Sequence, residues 1–220
     1  MSAYGAKRRT VRNLARMQTR EHFAATHGLV YSDADSLDLG ALPLAVLTVG
    51  AGHTCERIVS GNWKGIEVFA WDLNFWFFFA RATLGGSSLF AKAFELSCAM
   101  VRLPRECPRT IITPRGRGAR FGRRAARQFH LHHVDSPRLI KDWRIHCEDT
   151  GFGNRVATGP LQHRLAVSGT LGAEIALDAL VVYSAPDDPR GIGHLLDTVL
   201  AFRSELLPAI EGADVPRDGE

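Results

Sequence analysis

The sequence predicts an α+β fold: an antiparallel sheet of six or more short strands with N- and C-terminal amphipathic helices packed on it. Three observations point there. Residues 44–148 read as short apolar runs punctuated by Gly and Pro. The connections between those runs are too short for the crossover that parallel strands need. Near both ends, over Arg8–His27 and from Ile192 onward, apolar residues recur at helical spacing. At 220 residues, 45% hydrophobic and 23% charged, the chain can bury a sizeable core, and the composition excludes disorder, collagen and coiled coil. It is expected to form a single α+β domain over residues 1–210, followed by a disordered acidic tail over 211–220.

The elements follow in order. A basic first helix is expected over about 8–27, with Leu14, Met17, Ala24 and Ala25 on one side and Arg9, Arg12, Arg16 and Arg20 opposite. Gly28 suits its C′ position, and Phe23 falls among the arginines against the pattern. Leu29–Ser32 reads as a short strand and Asp33–Asp38 as an acidic loop. Leu44–Val49, Thr54–Ser60 and Gly65–Leu73 read as strands, with Gly61-Asn62-Trp63-Lys64-Gly65 as a hairpin connection. Glu95–Leu103 alternates like a strand covered on both faces. Pro104 and Pro108 are expected to bracket a turn before a short strand at Thr110–Thr113. Arg115–Arg127 reads as loop or frayed helix, and Gln128–Val134 and Trp143–Glu148 as strands. The stretch 149–208 then holds a helix over Asp149–Ser168 broken at Gly159-Pro160, and a strand or hairpin at Glu174–Ser184. Last comes a helix with Asp188 as N-cap and Pro189 at N1. Ile192, Leu195, Leu196, Val199, Leu200, Phe202, Leu206 and Leu207 form its buried side, and Pro208 ends it.

Charge is unevenly spread around a net +4. Residues 1–20 hold six bases and no acid, residues 102–127 nine arginines against Glu106, and residues 174–220 ten acids against three arginines. Such asymmetry fits an anionic partner, or pairing between the two ends of one fold. The longest apolar stretch, Phe75–Ala80, is far below the ~18 residues of a membrane span. Charges stand where a signal peptide needs its apolar core, so a cytoplasmic protein is expected. Cys55, Cys98, Cys107 and Cys147 form no CxxC pair and are expected to be reduced thiols.

Several segments occur together: Phe23-Ala24-Ala25-Thr26-His27-Gly28-Leu29-Val30-Tyr31, then Val59–Gly65 leading to Val68-Phe69-Ala70-Trp71-Asp72. Leu103-Pro104 and Trp143-Arg144-Ile145-His146-Cys147-Glu148-Asp149 follow, with Ala157, Pro160 and Leu161 after them. Over residues 15–207 this arrangement resembles an uncharacterised family of actinobacterial hypothetical proteins. The resemblance implies a helix leading into a β-meander and transfers no catalytic residues. Some members of that family carry a hydrophobic N-terminal anchor, where this sequence has a basic helix.

Four constellations bear on function. His130, His132 and His133 with Asp135 are dense in potential ligands, yet a third ligand at a specifying spacing is missing, so no metal and no cofactor is expected. His53 with Cys55, and His146 with Cys147, place thiol near imidazole in sequence, while adjacent strand residues point to opposite faces. Arg115, Arg117, Arg120, Arg123 and Arg124, interleaved with glycines and Phe121, are candidates for anion binding. They lack P-loop order, and nucleic-acid contact through them is expected to be weak and not sequence-specific. Trp76, Phe77, Phe78 and Phe79 belong to a run of six aromatics in nine residues, too many for one strand face to bury; an alternate pair is expected to face a partner. The reading these support is a non-catalytic binding or accessory module whose partner is another protein or an anionic surface. The alternatives are a small enzyme using the His, Cys and Asp residues near 130–149, and a nucleic-acid-associated protein using the arginine-rich loop 115–127.

Overall fold

The computed structural model describes residues 3–34, 42–83, 86–115, 119–135, 142–157, 159–186 and 191–212. Helix α1 (Ala3–His27) leads to β1 (Val30–Ala34), a helical turn α2 (Ala45–Thr48), and three strands, β2 (Ala51–Trp63), β3 (Ile66–Thr83) and β4 (Gly86–Pro114). Next come α3 (Ala119–Gln128), β5 (His132–His133), β6 (Trp143–Cys147), α4 (Thr150–Val156), α5 (Gly159–Ser168), β7 (Gly172–Ser184) and α6 (Gly191–Glu211). The strands form one antiparallel seven-stranded sheet in the order β1-β2-β3-β4-β6-β5, with β7 on the other edge of β4. The predicted α+β architecture is therefore the observed one.

Alternation along the strands divides the core in two. Val68 and Ala70 of β3, Ala99 and Val101 of β4, and Leu180 and Val182 of β7 pack beneath the N- and C-terminal helices with Val199 and Phe202. The intervening Trp71, Leu73, Cys98, Met100, Val181 and Tyr183 pack on the opposite face, under α2 and Ala125 of α3. Local chemistry sets the element ends. Gly28 at φ 68° lets the Leu29 N–H reach back to the Ala24 carbonyl at 2.9 Å, closing α1 in a Schellman turn. Lys64 and Gly65, both at positive φ, make a two-residue hairpin between the paired Trp63 and Ile66, and Asn62 Oδ1 accepts from the Gly65 N–H at 2.8 Å. The Asp149 carboxylate caps α4 by accepting from the Phe152 N–H at 2.8 Å.

Five expectations need correction. First, Pro104 and Pro108 do not end a strand: β4 runs through both. They sit where the ladder is already interrupted, between the last β3 pair (Val68↔Val101) and the first β6 pair (Thr110↔Cys147), opposite a register shift in β7. A proline there forfeits no ladder hydrogen bond. Second, Pro208 lies inside α6 rather than ending it. The turn beyond it buries Ala209 and Ile210, and Arg155 Nε donates to the Ala209 carbonyl at 3.2 Å. Third, the arginine-rich segment holds helix α3, whose Gly122, Ala125 and Ala126 are buried. Fourth, the strand expected at Gln128–Val134 shrinks to β5, because Gln128 still belongs to α3 and His130 turns the chain at φ 54°. The proposed N-cap at Asp188-Pro189 and residues 213–220 of the acidic tail lie outside the described residues.

The fifth correction is Leu44–Val49, which forms the helical turn α2 rather than a strand. A run this short carries no decisive period, and a distant acid decides the outcome. Glu174 of β7 is fully buried, and its carboxylate accepts from the backbone N–H groups of Ala45 and of Val46, the latter at 3.2 Å. Arg109 holds the adjacent Pro43 carbonyl at 2.8 Å and stacks on Phe129.

Burial pushes the Glu174 carboxyl up to about 7, against the opposing pull of those N–H donors and the Arg109 guanidinium. Folding thus binds this proton more tightly than the unfolded chain does. Its stabilising contribution is whole at pH values below the ordinary 4.5 and declines as pH rises through about 7. Paired urea titrations at pH 4.5 and pH 8 should show wild type losing ~3 kcal/mol that Glu174→Gln does not lose. Parallel losses in the two proteins would show that Glu174 does not carry the effect.

Candidate functional site

The helix-bearing face of the sheet carries a polar rung across four strands. Glu56 of β2 pairs with Asp72 of β3, Asp72 with Ser97 of β4, and Ser97 with Ser184 of β7. A bulge in β2 between Glu56 and Val59 inserts an extra residue, so that Arg57, at φ 55°, turns onto the same face as Glu56. Asp72 is fully buried and both its oxygens are occupied. Oδ2 accepts from Arg57 Nε at 2.8 Å; Oδ1 accepts from Ser97 Oγ at 2.7 Å and from the Arg20 guanidinium. Arg20 also donates to Ser97 Oγ at 3.0 Å and to the Arg57 carbonyl at 3.3 Å. One turn earlier on α1, Arg16 pairs with Glu95, which also lies 3.5 Å from Arg57 Nη2.

This network rotates α1 away from its expected orientation, although Ala24, expected on the apolar side, is buried as anticipated. The arginine side faces the sheet, with Arg20 only 7% exposed, while Leu14 is 51% exposed. Phe23, the residue that broke the pattern, is turned inward with the arginines, and its ring meets those of His27 and Trp63 and the α6 backbone at Gly193. A sequence signal for this existed. In the register Val68, Ala70, Asp72 an acid stands on a buried face and demands a cation.

Between α1 and the first turn of α6 lies a cavity of ≈ 320 Å³, its polar side formed by Arg16, Arg20, Ser97 and Ser184 and its apolar side including Ile192 and Leu195. Asp72 accepts from two guanidiniums and from Ser97 Oγ. The arrangement ties α1 to the sheet.

The expected partner-contact residues lie at the far end of β3. The β2 pairing recorded among the described residues reaches Trp76, at Ala51↔Trp76. From Phe77↔Lys92 to Thr83↔Gly86 the described ladder pairs β3 with β4, as a two-stranded ribbon. Across from Trp76 and Phe78 stand Ala93 and Ala91, too small to cover the rings, and the two aromatics remain 43% and 44% exposed. Trp71 and Phe75, by contrast, are buried. The Phe77 and Phe79 side chains lie outside the described residues.

The other candidates are dispersed. Arg115, Arg123 and Arg124 are exposed, the last two on the outer side of α3; Arg117 and the Arg120 side chain lie outside the described residues. The acidic C-terminal third pairs with bases elsewhere, in Arg102–Asp178, Arg164–Glu205 and Lys64–Asp197. His130 and His132 share no strand, because His130 precedes β5 in a left-handed turn. His133 and His146 do meet, with ring centroids 5.3 Å apart. Burial, with His133 and Arg144 nearby, lowers His146 to about 4. Among the described residues no group of three or more His, Cys, Asp or Glu is placed to hold a metal ion. Cys147 is buried with its sulfur 3.0 Å from Thr110 Oγ1, and burial pushes its thiol up, away from the thiolate a nucleophile needs. His53 is half-buried, and its ring stacks on Phe75.

No protein-family model and no curated protein matches this sequence. Among solved structures, the mycobacterial trehalose monomycolate transport factor A, TtfA, is similar with a TM-score of 0.64 over 87% of this chain and 94% of that one, at 12% identity. At that identity the likeness concerns the fold.

The rung generates a stability prediction. Asp72→Asn leaves two buried guanidiniums facing an amide and should lower the unfolding free energy by about 3–5 kcal/mol in urea titration. Arg102→Ala, which removes an exposed pair with Asp178, should change it by less than about 1 kcal/mol. Equal effects would deny the rung its structural role.

Proposed function

We propose that this protein is a non-catalytic accessory module whose working surface is the aromatic ribbon formed by β3 and β4. The observation that carries the reading is the pair of half-exposed rings, Trp76 at the last described β2 pair and Phe78 just beyond it. A stable fold gains nothing from leaving two large rings in water, and exposed apolar groups set close together mark contact surfaces. The polar groups that catalysis would require are occupied structurally: Asp72 by two guanidiniums, Asp149 by the α4 cap, Cys147 by Thr110. Likeness of fold to an actinobacterial transport factor agrees with an accessory role, and with placing the chain beside the actinobacterial proteins its motifs resemble.

The test compares wild type with the double variant Trp76→Ala/Phe78→Ala, purified from its native cells after mild crosslinking. The variant should melt within a few degrees of wild type, since neither ring is core, and should lose the components that accompany the wild-type chain. Identical profiles would remove the ribbon from consideration as the working surface.

A further inference from the structure

The ribbon's composition specifies what it meets. Residues 73–94 contain seven aromatic residues, two bases (Arg81 and Lys92) and no acid. Lys92 is exposed on the face opposite Trp76 and Phe78, with Nζ 5.2 Å from the Phe94 ring centroid. The neighbouring helix has the same sign. Arg20 sits over Asp72 and Arg16 over Glu95, the partner of Asn74, so α1 runs antiparallel to β3. One helical turn spans about 5.4 Å and two strand residues nearly 7 Å. Continuing in that direction carries the N-terminal half of α1, which holds Lys7, Arg8, Arg9 and Arg12 and no acid, toward the ribbon.

A specific protein interface carries a polar rim and roughly one hydrogen bond per 100–200 Å². The combination here is different: exposed aromatic rings, cations, and no anion over residues 73–94. It is the combination that partitions to a membrane–water interface, where rings sit at headgroup depth and lysine and arginine meet anionic lipid. The backbone sets the depth. A two-stranded ribbon keeps unpaired N–H and C=O groups along its outer edges, and these cannot enter hydrocarbon.

We infer that the β3–β4 ribbon, with the basic N-terminal half of α1 beside it, docks peripherally on an anionic lipid bilayer, Trp76 and Phe78 entering the interfacial zone while the basic helix on that same face of the sheet meets the headgroups. This inference rests on the ribbon being the working surface.

The test is co-flotation of the full chain with phosphatidylcholine vesicles, with and without phosphatidylglycerol, at physiological ionic strength. Wild type should bind the anionic vesicles at least tenfold more tightly than the neutral ones. Trp76→Ala/Phe78→Ala should weaken that binding at least tenfold with an unchanged circular dichroism spectrum. Arg8→Gln/Arg9→Gln should weaken it about fivefold for each charge removed. Equal binding by wild type and Trp76→Ala/Phe78→Ala, or no binding to either vesicle, overturns the lipid assignment. If vesicles are not bound but the aromatic variant still loses a co-purifying protein, the ribbon is a protein-docking surface instead. If the variant changes neither assay, both readings fall together.

Discussion

The carboxylate of Asp72 has no contact with water and takes donors from three elements: Arg57 of a bulged β2, Ser97 of β4, and Arg20 of α1. A buried acid without such partners would be untenable. Arg57 is held in a backbone conformation that non-glycine residues rarely adopt, so that its guanidinium can arrive. The helix is rotated so that its arginines rather than its leucine meet the sheet. The orientation of α1, the bulge in β2 and the polar wall of the cavity beside α6 therefore follow from one charge. Ion pairs inside proteins are weak contributors to net stability when compared with apolar packing, yet they tolerate few alternative arrangements. Here that intolerance selects one rotation of α1 over others that its modest apolar side would allow.

How much of this the sequence made legible depends on the range of the determining interaction. Turns set by one or two residues were readable: Gly28 behind α1, Lys64-Gly65 in the β2–β3 hairpin, and the break between α4 and α5. The antiparallel sheet and the buried side of α6 followed from periodicity, because Ile192, Leu195, Leu196, Val199, Phe202 and Leu206 form a dense stripe. The face of α1 did not, because its apolar side is thin and its partners Asp72 and Ser97 lie 52 and 77 residues away from Arg20. The helical turn at Ala45–Thr48 escaped for the same reason, being set by Glu174 more than a hundred residues downstream. The aromatic run was legible as an excess that one strand face could not hold, and among its described side chains Trp76 and Phe78 are half-exposed.

The two faces of the sheet differ in character. Beneath the terminal helices the core is interrupted by paired charge, and the cavity there opens onto guanidiniums and hydroxyls. The opposite face is more strictly apolar, with Trp71, Cys98 and Tyr183 in one row and Glu174 as its buried carboxyl. The chain thus uses its ionisable groups to orient elements on one side and to pin a covering segment on the other. Among the described side chains of β3, Trp76 and Phe78 are the large rings left half-exposed.

Strand β4 also has a mechanical consequence. It is continuous from the ribbon tip at Gly86 to Pro114, and along that length it is bonded in turn to β3, β7 and β6. A pull applied at the tip along the strand axis loads those rungs side by side, in shear, instead of opening them one after another. Force entering through the ribbon would pass down a single uninterrupted segment to β7 and the C-terminal helix packed on it. A tether at this end of the molecule therefore resists load with most of the sheet at once, whereas a pull perpendicular to the hairpin would peel it from the tip.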